Sequence, residues 1–109
     1  MNAIYKIARR KEWEAAKGGG FYAGSPDDLR DGFIHFSTAE QLAGTLAKHF
    51  ANDPDLLLLT VDAAGLGEAL RWETSRRGEL FPHLYRPLLV GEVTAVRDIT
   101  DTDRKPTPK

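Results

Sequence analysis

In the stretch DGFIHFSTAEQ (Asp31 to Gln41) a histidine interrupts an apolar run. If residues 33–37 are extended, alternate side chains share a face, so Phe33, His35 and Ser37 point one way and Ile34 and Phe36 the other. Ile34 and Phe36 are the natural core pair. His35 and Ser37 are then left facing a cleft at the point where the chain turns into a helix. A helix start there, at Ser37 and Thr38, offers unpaired amide N–H groups and partial positive charge, which suit a phosphate or carboxylate. An imidazole beside it can hold a ribose hydroxyl or move a proton. The competing reading is a core histidine satisfied by a backbone carbonyl. The residues alone leave both open.

A second concentration runs from Arg71 to Arg86 and holds Arg71, Trp72, Glu73, Arg76, Arg77, His83, Tyr85 and Arg86. Arginines are forked donors for phosphate, aromatic rings stack on bases, and a carboxylate can orient a hydroxyl. A charged edge strand and a solvated loop would account for Arg76 and Arg77. Glu73, His83 and Tyr85 are better candidates, because Trp72 and Phe81-Pro82 provide apolar or rigid neighbours. No metal site is expected: His35 and His83 lack a close-spaced partner, and His49 is read as structural or surface. No Walker loop or dinucleotide glycine fingerprint occurs.

These residues need elements to hold them. AIYKIA (Ala3 to Ala8) alternates as a first strand, and RRKEWEAAK follows as a short helix, with Gly18 as its expected left-handed cap. The basic start of that helix opposes its dipole and is expected to face solvent. Residues 21–31 are expected as a loop. Ser37 with Glu40, and Thr38 with Gln41, have capping-box spacing, and Ala39, Leu42, Ala43, Leu46, Ala47 and Phe50 form one apolar face of the next helix. DLLLLTVDA predicts a strand buried on both faces. ALRWE predicts a shorter strand, and LFPHLYRPLLVGEVTAVRDI a proline-bounded turn followed by one or two strands, with Gly91 marking a bulge or bend.

The 109 residues suit one domain, with 41% hydrophobic and 28% charged residues and a net charge of −1. That balance gives no field to recruit nucleic acid or an anionic membrane. The absence of cysteine excludes disulfides and thiolate chemistry. No apolar run is long enough for a membrane span, and the N-terminus does not read as a signal peptide, so a cytoplasmic protein is expected. The expected architecture is an α+β domain over residues 1–100, with compact mixed or antiparallel sheets and two main helices. Residues 101–109 are expected as a flexible polar tail.

Taken together, DGFIHFSTAEQ, the LLLLTVDA strand, LRWE and ELFPHLYRPL resemble the domain of unknown function 952 family over nearly the full chain. That resemblance implies an ADP-ribosyltransferase-like fold. The chain order is also similar to the tRNA 2′-phosphotransferase branch, in which a strand with a Tyr-His-Gly-Thr motif precedes one with a His-x-His-x-Ser motif. Here IYKIA stands at the first position and FIHFS at the second. The implied ligand is NAD, ADP-ribose or another phosphorylated nucleotide. The resemblance carries over His35 and Ser37 as cleft residues and adds Glu73, His83 and Tyr85. Lys6 replaces the first-motif histidine and Ile7 the following glycine, while Arg86 stands where the family has a small residue.

The candidates are therefore His35, Glu73 and His83 for catalysis, and Lys6, Ser37, Thr38, Arg71, Tyr85 and Arg86 for ligand binding. Lys6 is a point charge for a phosphate, without the acceptor that an imidazole offers to a ribose. Two other functions fit the residues: a domain using the same surface for a partner or metabolite without catalysis, and a two-histidine phosphodiesterase. HFS at His35 matches the second, and HLY at His83 lacks its hydroxyl residue.

Overall fold

The computed structural model describes residues 2–75 and 78–105. Eight strands run in chain order: β1 (Ala3–Arg9), β2 (Phe21–Tyr22), β3 (Ile34–His35), β4 (Leu56–Asp62), β5 (Leu70–Thr74), β6 (Leu80–Leu84), β7 (Leu88–Leu89) and β8 (Val93–Asp98). Three α-helices join them: α1 (Arg10–Lys17), α2 (Pro26–Asp31) and α3 (Leu42–His49). The strands form antiparallel sheets of order β1-β4-β8, β2-β7 and β3-β6-β5. Among the described residues, no helix is long and apolar enough to cross a membrane.

The apolar run of β4 is central and covered on both faces, as its composition requires. Leu57, Leu59 and Val61 join Ile4, Ala8, Trp13, Ile34, Phe36 and Leu84 in one cluster, while Leu56 and Leu58 pack with Ile7, Leu42 and Leu46 in another. The apolar face of α3 therefore covers one side of the sheet, with α1 and the other sheets on the opposite side.

Several local expectations are corrected. Gly18 is right-handed, and Gly20, with φ of 84°, takes the left-handed position instead. The basic start of α1 does not simply face solvent: Arg9 pairs with Asp53 at 3.2 Å, and Arg10 with Asp55 at 2.7 Å and with Asp98. Residues 21–31 are not a loop, since they contain β2 and α2. Ser25 caps α2 in a capping box with Asp28, and Pro26 occupies its first turn. FPHLY is no turn: Leu80–Leu84 is the middle strand of its sheet.

The strand expected over residues 33–37 is only two residues long. Phe36 then donates to the Pro82 carbonyl at 3.0 Å, and Ser37 exchanges both backbone bonds with Tyr5, each at 2.8 Å. The segment thereby links the β3-β6-β5 sheet to β1. Of the doubly signalled helix start, Thr38 and Gln41 form the box, over a 3₁₀ turn at Ala39–Gln41. The Ser37 hydroxyl instead meets Thr45 Oγ1 at 3.1 Å. Residues 101–104, expected in the tail, form a 3₁₀ turn tied by Arg97 to Asp103 and by Arg104 to the Phe50 and Asp53 carbonyls. Residues 106–109 and Arg76 and Arg77 lie outside the described residues.

One glycine has a steric role. Gly24 has φ of +111°, and a Cβ there would lie 2.6 Å from Asp28 Cβ. Gly24→Ala should cost about 2–4 kcal/mol in denaturant unfolding, from backbone strain and overpacking together. Gly65→Ala meets nothing within 4 Å and should stay within about 0.5 kcal/mol of wild type.

Candidate functional site

Period-2 alternation collects the chemical groups on one face of the β3-β6-β5 sheet. His35 pairs with His83 across β3 and β6, Arg71 with His83 across β5 and β6, and Glu73 with Phe81. The opposite face carries Ile34 and Leu84 into the core. The expected alternation holds in burial over residues 34–36, where Ile34 and Phe36 are each 2% exposed and the His35 side chain is 38% exposed, but Ser37 is itself buried. His35 and His83 line one cleft of about 270 Å³ with Lys6, Ser37 and Thr45.

The centre of this cleft is Asp28, which the sequence analysis did not single out. It is 2% exposed, and its carboxylate accepts four bonds: from Lys6 Nζ at 2.7 Å, His35 Nδ1 at 2.5 Å, the His35 amide at 3.1 Å and the Ser25 amide at 2.9 Å. Burial by itself raises the Asp28 pKa, but the His35 bond and the Lys6 charge outweigh it and hold the carboxyl well below the usual range. Burial pushes the Lys6 ammonium down from its ordinary value, opposed by Asp28. Lys6 is thus a cleft residue whose charge is already compensated. Its expected role as the phosphate's point charge is weakened by that pairing.

The two histidines are held differently. His35 meets Asp28 through Nδ1 and Asp31 through Nε2, the latter at 3.0 Å. His83 meets Glu73 through Nδ1 at 2.8 Å, and Glu73 also accepts from the Tyr85 hydroxyl at 2.6 Å. The Tyr85 and His83 bonds draw the Glu73 carboxyl down, and the bond to Glu73 pushes the Tyr85 phenol up. Phe33 stacks on His83 with ring centroids 4.1 Å apart and leans on His35 and Tyr85. The two imidazole centroids are 5.5 Å apart, edge to face.

Of the remaining candidates, Ser37 lines the cleft, whereas Glu73 and Tyr85 stand behind and beside His83. Arg71 lies over the Tyr85 ring, 5.0 Å from its centroid. Thr38 and Arg86 serve the fold: Thr38 caps the turn before α3, and Arg86 forks onto Glu92 at 2.9 and 2.8 Å. Neither lines the cleft. Asp28, Asp31 and Lys48 do, and none was singled out. Ser25-Pro26-Asp27-Asp28 is a helix-start signature that places an aspartate at the third helical position, and it was the available signal. Among the described residues, no group of three or more His, Asp or Glu is placed to hold a metal ion.

Residues 7–96 match the family model described as "Protein of unknown function (DUF952)". The chain belongs to this family. The DUF952 chain is also similar to solved structures of protein CC0527 from Caulobacter crescentus. Against one crystal structure it is 55% identical, covering 96% of this chain and 93% of that one, with a TM-score of 0.88. Against the solution NMR structure it is 53% identical, covering 94% and 90%, with a TM-score of 0.80. No curated protein matches this chain.

The Asp28 cluster sets a stability prediction. Asp28→Asn leaves Lys6 buried without its counter-charge and should cost about 3–5 kcal/mol in denaturant unfolding. His35→Ala leaves Asp28 with Lys6 and Ser25 and should cost only about 1–2 kcal/mol. Because Asp28 is depressed in the folded state, its contribution is fully present above its unfolded pKa of about 3.9 and is lost as pH falls below that. The gap between wild type and Asp28→Asn should be flat from pH 5 to 8 and narrow in acid.

Proposed function

We propose that this DUF952 domain, on an ADP-ribosyltransferase-like fold, binds a phosphorylated ribonucleotide of the NAD or ADP-ribose class in the cleft at His35. The observation that carries this is the pairing of His35 and His83 in one cleft, each imidazole fixed by a carboxylate at Nδ1. A ribose presents hydroxyls that donate and accept, and rigid imidazoles beside fixed carboxylates can answer both. Ser37 and Thr45 add hydroxyls on the α3 side. With Lys6 neutralised by Asp28, the phosphate falls to His35 and Lys48. Lys48 lines the cleft and makes no ion pair among the described residues.

A thermal-shift panel of NAD, ADP-ribose, nucleoside monophosphates and cyclic phosphates tests this. A ligand at 100 times its Kd stabilises the native state by about 2.7 kcal/mol, or roughly 10–20 °C for a domain of this size. An ADP-ribose-type ligand should register, and His35→Ala should abolish the shift. EDTA should change nothing. A flat response across the panel would transfer the cleft to a non-catalytic role with a different partner.

Lys6 also bears on NAD chemistry. An ammonium has three donors and no acceptor, and here it is committed to Asp28. It does not reproduce a neutral imidazole at the reacting ribose. NAD should bind without nicotinamide release, measured by chromatography, and robust His35-dependent release would refute this.

A further inference from the structure

The two imidazoles face the cleft in opposite bonding states. Carboxylates only accept hydrogen bonds, so His83 donates to Glu73 through Nδ1, and in the neutral ring its Nε2 carries the lone pair. That nitrogen makes no hydrogen bond among the described residues, although the side chain is 8% exposed and lines the cleft. His35, by contrast, has a carboxylate oxygen beside each nitrogen: Asp28 at 2.5 Å from Nδ1 and the more exposed Asp31 at 3.0 Å from Nε2. One ring presents an open nitrogen to the cleft, and its neighbour has a carboxylate at each nitrogen. Two imidazoles on one cleft wall, one with an open nitrogen and the other with its Nε2 beside a displaceable carboxylate, are the geometry that acid–base catalysis needs.

The ligand's charge and size can be read from the same site. Asp31 is half-exposed at the end of α2, and its carboxylate rests on His35 Nε2. An oxyanion is therefore accepted there, with Arg30 and Lys48 also on the cleft wall. A volume of about 270 Å³ lies just under the roughly 300 Å³ at which pockets for drug-sized molecules begin, so the cleft encloses one ribose with its phosphate and leaves the rest of a larger nucleotide outside.

We propose that His35 and His83 are an acid–base pair that hydrolyses a cyclic phosphodiester on the ribose of the bound nucleotide. The proposal rests on the nucleotide-binding function above. His83 Nε2 takes a proton from water as the water oxygen forms a bond to phosphorus. The bond from phosphorus to one ribose oxygen breaks, and His35 Nε2, with Asp31 displaced, gives that oxygen its proton. The product is a nucleoside monophosphate, and solvent returns the proton from His83 to His35. Asp28 and Glu73 hold the rings and are positioning residues. The charges that tune the pair are Lys6, Asp28 and Asp31 around His35 and Glu73 and Arg71 around His83, with Lys48 across the cleft.

The test follows 2′,3′-cyclic nucleoside monophosphates by ³¹P NMR, with calorimetric binding of the same compounds in parallel. Wild type should release monophosphate with a bell-shaped kcat/KM profile. His83→Gln should lose kcat by at least about 100-fold, keep KM within about threefold, and lose the acid limb. His35→Gln should lose the alkaline limb, and thermal melts establish that both variants are folded. Asp31→Asn should raise kcat/KM, because it removes the carboxylate that competes for His35. Binding without monophosphate release, or release that persists in folded His83→Gln, would overturn the acid–base pair and leave nucleotide binding standing. Absence of binding by every nucleotide would overturn both.

Discussion

The site depends on one buried carboxylate. Asp28 sits at the third position of α2 and draws together β1 through Lys6, β3 through His35 and the preceding loop through Ser25. A carboxylate taken out of water costs several kcal/mol unless charge and hydrogen bonds answer it. Here four donors do so, one from Lys6, two from His35 and one from Ser25. The same bonds that permit the burial therefore fix the ring of His35. Gly24 belongs to this arrangement, since its missing side chain is the space that Asp28 occupies.

The second dyad is built by different means. Glu73 and His83 lie on adjacent strands, and their meeting follows from antiparallel register and from the shared sheet face. The aromatic side chains around them, Phe33 and Tyr85, restrict the rings by stacking and by a shared hydrogen bond. One dyad is set by a buried charge and the other by strand geometry. Both converge on one cleft because β3 pairs with β6.

What could be read from the sequence divides along the same line. Alternation in FIHF and the run in DLLLLTVDA report burial directly, and AIYKIA reports the strand β1 but not the burial of its Lys6. The Thr38–Gln41 box was legible because capping is local. Asp28 was not legible as a site residue, because its importance comes from Lys6, twenty-two positions away in sequence. Its helix could have been recognised from Ser25-Pro26, but three aspartates and a glycine nearby resemble a loop. FPHLY misled for a chemical reason: proline is a poor strand residue, yet β6 carries one in its middle. Arg86 looked like an anion contact because its partner, Glu92, lies beyond a turn that composition does not predict.

Pro82 also explains how the molecule changes sheets. Phe36 and Pro82 stand opposite each other at the end of the β3–β6 ladder, and Phe36 gives its amide hydrogen to the Pro82 carbonyl. The reciprocal bond cannot form, because an imino acid has no hydrogen to return. The ladder is one-sided at that rung and stops. One residue later the backbone is claimed by β1, where Ser37 and Tyr5 exchange both bonds. The proline is a switch point: by refusing one bond, it releases the histidine-bearing strand from its own sheet and leaves it stitched to the next.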